Sequence, residues 1–143
     1  MSDTLSHCDV TRLEGVQRLT FLPALFGADF MAAEATMYAY ADRFCENYQG
    51  GFWEYYRLPN GSGFMVPEGE TLLFCSSDNW FEQEVSAEVA GIIITALVLN
   101  HRSWHHSHHD RGELCQHFCK QYELLMDFIS THPDAGVIYR ALD

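Results

Sequence analysis

Residues 89–99 read Val-Ala-Gly-Ile-Ile-Ile-Thr-Ala-Leu-Val-Leu, and this run constrains the fold more than any other stretch of the chain. Ser86 stands just before it as a helix N-cap, a residue type whose side-chain oxygen accepts a hydrogen bond from a free N–H of the first turn. A helix that is apolar on every side has no face to give to water, so it must be the central, covered element. The run is about half of the roughly 20 residues that cross a bilayer, which makes it a core helix and argues against a membrane span.

The remaining elements must therefore surround this helix. Asp29 is placed to cap an earlier one, along which Phe30, Glu34, Met37, Tyr38, Ala41, Phe44, Cys45 and Tyr48 follow helical spacing. Gly50-Gly51 is its expected end, since glycine accepts the positive φ of a C-terminal cap. Ahead of it lies a compact apolar entry segment, Arg18 to Gly27, interrupted by Pro23. From Phe52 the pattern turns aromatic and β-prone. Phe52–Leu58 and Phe64–Val66 flank the turn Pro59-Asn60-Gly61, and Thr71–Cys75 and Trp80–Val85 flank Ser77-Asp78-Asn79. Sequential hairpins imply an antiparallel meander. After the central helix, Asp110 and Glu113 have capping-box spacing and open a helix with the stripe Leu114, Cys115, Phe118, Tyr122, Leu125, Met126 and Ile129. Pro133 stops that run and suits the first turn of a short last helix. The expectation is an α+β fold: a single compact domain with a small antiparallel β-meander packed against about four helices. Residues 1–14 are expected to form a flexible N-terminal segment, and 15–143 the domain.

Twenty acids against eight Lys and Arg give a net charge of −12. Nucleic-acid binding depends on cations that displace counterions from phosphates, so tight non-specific DNA binding is not expected. An acidic balance favours basic partners, among them proteins whose ordinary ligand is DNA. The five cysteines are odd in number and irregularly spaced, and the N-terminus carries early acids (Asp3, Asp9) and no apolar signal stretch. Together these predict free thiols and a cytoplasmic protein with no membrane association.

The loudest chemical feature is the histidine tract of 101–109. His101, His105 and His109 are spaced four apart, so neighbours share a helical face, and they are the candidates for a metal site in a metal-dependent hydrolase. No HExxH accompanies them, because Arg102 follows His101, and histidines near a helix C-terminus are explained by the helix dipole alone. No metal or cofactor is therefore expected. Cys115 and Cys119 repeat the four-residue spacing but fall on the apolar stripe, where free cysteine packs as a small hydrophobe. There is no GxSxG, no phosphate-binding glycine loop, and no catalytic residue to assign. Glu82 and Glu84 alternate with Phe81, Gln83 and Val85, which reads as a solvated strand face. The aromatics of 52–81 lack the cations a single-strand binder needs, Arg57 being the sole Lys or Arg between 44 and 101. They fit a core on one face and a protein-contact surface on the other, or a homodimer contact.

Several blocks, in order, resemble the ArdB/KlcA antirestriction family: Arg18 to Gly27, Phe30-Met31, Tyr48-Gln49-Gly50-Gly51-Phe52-Trp53-Glu54-Tyr55-Tyr56, Asn60 to Pro67, and Ser86 to Ile92. The Gly-Gly-Phe-Trp-Glu-Tyr-Tyr block is the most specific. The resemblance covers about residues 15–130. It implies a compact α+β domain, carriage on plasmids or other mobile elements, and relief of type I restriction without enzymatic turnover. The implied partner is a type I restriction-modification enzyme or its complex on DNA. The expected contact patch is Trp53, Glu54, Tyr55, Glu82, Glu84 and Glu88, brought together by strand pairing.

Overall fold

The computed structural model describes residues 9–143; residues 1–8, Asp3 and Cys8 among them, lie outside it. In chain order its elements are β1 (Thr11–Arg12), α1 (Arg18–Phe26), α2 (Phe30–Phe44), β2 (Trp53–Arg57), β3 (Gly63–Pro67), β4 (Thr71–Ser76), β5 (Phe81–Ser86), α3 (Ala87–His108), α4 (Gly112–Ser130) and α5 (Ala135–Leu142), with short 3-10 turns at Gly15–Gln17 and Gly27–Asp29.

Helix α3 is the post around which everything packs. Ser86 caps it, its hydroxyl accepting from the Val89 N–H at 3.1 Å. From Val89 to Leu99 every residue but Leu97 is buried. The one polar side chain in that run is satisfied twice: Thr95 donates to the Gly91 carbonyl at 2.7 Å and accepts from the Met65 N–H at 3.2 Å. Gly91 explains how the helix comes so close to β3. A Cβ there would run into the Met65 carbonyl oxygen and lie 2.9 Å from Val66 Cα, so only glycine allows the crossing.

The α+β class stands, with the predicted hairpins in place. They form two small antiparallel sheets, β1-β2-β3 and β4-β5. β2 pairs with β3 from Trp53↔Pro67 to Arg57↔Gly63, and β4 with β5 from Thr71↔Ser86 to Ser76↔Phe81. The meander parts between β3 and β4. Pro67 ends β3 with no N–H to continue the ladder, and β4 takes an isolated bridge from Cys45 to Phe74 on its outer edge. That bridge also corrects the end of α2. The chain leaves the helix at Cys45 in extended conformation (φ −109°, ψ 107°), well before Gly50-Gly51.

Other local expectations change too. The entry segment is helix α1, with Pro23 inside it; the carbonyl that proline cannot serve is that of Leu19, which is 78% exposed and open to water. Asp29 does not cap α2, because its carboxylate is taken by α3. Asp110 sits at φ 56° and Arg111 holds the N-cap position without a side-chain bond, so the capping box does not form. Pro133 lies in the turn ahead of α5. Cys119 is exposed and Cys115 half-buried, so the core face of α4 rests on Phe118, Leu125, Phe128 and Ile129. Part of the expected flexible segment joins the fold: Thr11 and Arg12 pair with Arg57 and Tyr56, and Leu13 is buried. Among the described residues no helix is long and apolar enough to cross a membrane.

Candidate partner-binding surface

Strand pairing does not gather the expected patch. Trp53 and Tyr55 are 4% and 8% exposed, on the inner face of β2. The Trp53 indole donates to the Tyr48 hydroxyl at 3.0 Å and packs 5.8 Å from the Tyr38 ring. Glu54 faces outward on the same strand and pairs with Arg12 at 3.4 Å. Glu82 and Glu84 are exposed on the other sheet, opposite Cys75 and Leu73. Glu88, in the first turn of α3, is held at 2.8 Å by His132. Trp53 and Tyr55 are thus internal, and Glu54 is parted from the Glu82–Glu84 pair because β3 and β4 do not pair, while Tyr56 feels both Glu54 and Glu88.

The histidine tract is also divided. His101 packs against Tyr40 at 5.9 Å, while the His105 and His109 rings lie 4.4 Å apart at the helix end, where His109 Nδ1 is bonded to the His105 carbonyl. Among the described residues no three His, Cys, Asp or Glu side chains converge as metal ligands. The histidine that matters to the fold is His106, which is buried and stacked on Phe118. Its Nε2 lies 3.1 Å from Asp29 Oδ2, and Arg102 grips the same carboxylate through two bonds of 2.7 and 2.9 Å. Burial alone would raise the Asp29 pKa. The Arg102 and His106 contacts outweigh it and hold the carboxyl below its ordinary range. This knot ties the start of α2 to the end of α3.

A different constellation is built where α1 meets β2. The Arg18 guanidinium is stacked between Phe52, 4.4 Å from its centroid, and Tyr55, at 4.1 Å. Phe21 stacks on Tyr55 in turn, at 4.5 Å and nearly parallel. Arg18 Nη2 donates to the Trp53 carbonyl at 2.9 Å, while Nη1 is buried with no partner among the described residues. Beside it a cavity of ≈ 290 Å³ is lined by Arg12, Leu13, Glu14, Arg18, Phe52 and Glu54.

Several large apolar side chains close to the arginine, in the chain or by stacking on it, are exposed. Val16 is 80% exposed and Phe52 54%; Leu19 and Met31 are exposed as well. Between Glu14 and Asp42 the charged residues are Arg18, Asp29 and Glu34. Asp29 is internal, and Glu34 accepts from the Tyr38 hydroxyl at 2.7 Å. Burial, and then Glu34, raise the Tyr38 pKa, so that hydroxyl stays a donor. The carboxylates beside the arginine, Glu14 and Glu54, are both paired with Arg12, at 3.0 and 3.4 Å. Exposed apolar side chains beside an aromatic-stacked arginine have the make-up of a protein-binding hot spot. Arg18 and Phe52 went unassigned in the sequence because one cation heading an apolar run reads as solvated; their place in two resembling blocks was the available signal.

These features define a class: small α+β proteins built around one buried helix, whose described residues offer surfaces for contact. Comparison with known proteins gives the family. A family model described as "Antirestriction protein" matches residues 46–143. The putative antirestriction protein YubI of Escherichia coli K12 is 45% identical over 133 residues, which cover 92% of this chain and 93% of YubI. An antirestriction protein KlcA of Escherichia coli is 37% identical over 129 residues, 89% of each chain. A solved structure, described as showing for KlcA and ArdB a novel fold and antirestriction activity against type I DNA restriction systems in vivo but not in vitro, matches with a TM-score of 0.80. It is 36% identical and covers 94% of this chain and 95% of that one. The chain belongs to the antirestriction protein family, and the resemblance in its sequence blocks stands. The family model starts at residue 46, so the Arg18 face enters only through the longer matches.

Proposed function

We propose that this chain relieves type I restriction of incoming DNA inside the cell, without turnover, by docking on a protein component of the restriction complex. The observation that carries this is the related KlcA and ArdB structure, with its activity in vivo but not in vitro. An inhibitor that needs the cell acts on something a purified reaction lacks, such as a further protein or a state of the restriction complex reached only in the cell. The net charge of −12 weighs against holding DNA directly. Mimicry of DNA by carboxylates is poorly supported too, because Glu54 and the Glu82–Glu84 pair sit on separate sheets. The Arg18–Phe52 face is the contact surface this reading favours, with Glu54 on its rim and Trp53 and Tyr55 as its floor. The site of action is the cytoplasm, where restriction meets entering DNA.

The test is the plating efficiency of unmodified phage on cells with a type I restriction system, and in parallel on cells with a simple type II system. Protection in the type I strain alone is expected. Arg18→Ala, checked for native circular dichroism, is expected to lose most of it. Soluble protein that gives no protection in the type I strain defeats the reading.

A further inference from the structure

The tip of the β4–β5 hairpin carries Trp80. Its side chain is 88% exposed and its backbone is left-handed, at φ 60°. Both properties are costly for a bulky residue. Left-handed backbone suits glycine or asparagine, and an indole in water gains nothing for folding. The tip is nevertheless held firmly. Asn79 donates to the carbonyls of Arg140 and Ala141, at 3.3 and 2.9 Å, and accepts from the Phe81 N–H at 3.1 Å. The hairpin is thereby pinned to the last turn of α5, and the indole stands on a fixed base.

Two recesses flank the ring. One, of ≈ 430 Å³, is lined by residues including Glu82, Gln83, Arg140 and Asp143. The other, of ≈ 200 Å³, is lined by Cys75, Ser76, Ser77, Phe81 and Glu82, with no lysine or arginine in its wall. Burial, then Glu46 and Glu82, push the Cys75 thiol up. Asp78, paired loosely with Arg43 at 3.7 Å, stands two residues before the tryptophan.

We infer that Trp80 and the recess beside Glu82 form a second docking site, separate from the Arg18 face, for a basic segment of a partner protein. An arginine or lysine side chain would lie on the indole face and reach the Glu82 carboxylate. Charge complementarity selects this occupant: a fixed aromatic face edged by carboxylates attracts a cation, and repels both the phosphates that would accompany a stacked nucleobase and a second copy of this −12 chain. The inference does not rest on antirestriction activity.

A short dye-labelled peptide of alternating arginine and glycine serves as the probe, titrated with the full chain. Its fluorescence anisotropy reports binding whether or not Trp80 is present. Saturable binding at low salt is expected, weakened about tenfold by Trp80→Asn and by Glu82→Lys, and by added salt. Asparagine accepts the left-handed backbone, so that variant keeps the hairpin and tests the ring alone. Binding unchanged by both variants overturns the site. So does a Trp80-dependent response to oligo-deoxythymidine, which would make it a base-stacking surface, or a Trp80-dependent dimer in sedimentation, which would make it a self-contact.

Discussion

Replacing Gly91 with alanine tests the closest packing in the molecule. The new Cβ would collide with the Met65 carbonyl oxygen, and would sit 2.9 Å from Val66 Cα and 3.0 Å from the Met65 carbonyl carbon. All three are backbone atoms of β3, so no side chain can turn aside, and α3 must retreat by on the order of 1 Å. Retreat breaks the Met65 N–H to Thr95 bond, leaving a buried donor at about 1–3 kcal/mol, and the strain of overpacking adds about 1–3 kcal/mol. Alanine returns about 1 kcal/mol through its helix propensity. The balance is a loss of about 3 kcal/mol, against a total stability of roughly 5–15 kcal/mol for a domain. Urea unfolding followed by circular dichroism measures it. Gly136→Ala is the control, since its Cβ meets open space in α5, and it should be neutral or slightly stabilising. If Gly91→Ala unfolds within about 0.5 kcal/mol of the parent, the close approach of α3 to β3 is wrong.

Trp80→Asn should raise stability by about 1 kcal/mol, because it relieves a left-handed backbone while giving up almost no packing; calorimetry checks the direction. Asn79→Ala should cost about 1–2 kcal/mol and loosen the end of α5, read as faster amide exchange near residue 140. Asp29→Asn should cost about 2 kcal/mol at neutral pH. The folded Asp29 pKa is depressed, so its contribution is complete above the unfolded value of about 3.9 and fades as pH falls through the folded one; the gap between variant and parent should close in acid. Arg18→Ala should reduce protection from type I restriction far more than it reduces thermal stability, since removing the guanidinium also removes its orphaned Nη1.

The central helix and both hairpins were readable because each rests on local chemistry: an unbroken apolar run, a serine cap, and turns rich in Asn, Gly, Asp and Pro. The parting of the sheets was not, because it depends on Cys45 meeting Phe74, an encounter between distant segments. The burial of Trp53 and Tyr55 is not legible in the sequence, because alternation says which residues share a face and is silent about which face is covered. His106 could have been found. It lies seven residues after Leu99 and three after Ser103, on the side of α3 that is buried, whereas His101, His105 and His109 follow a different face. Arg18 acquires its surroundings only when α1 folds onto β2, so its spacing alone carries no mark of a site.

The covered position of α3 also governs how the chain must come off the ribosome. Residues 9–86 make both sheets and two helices, yet the element that shields their inner faces begins at Ala87 and ends at His108. Until that helix has cleared the exit tunnel, Met65 lacks the cover of Gly91 and Thr95, and the early half is an unfinished shell. Folding is therefore deferred until residues 87–108 have emerged. Truncation before residue 108 should yield aggregation-prone fragments, not a smaller version of the domain.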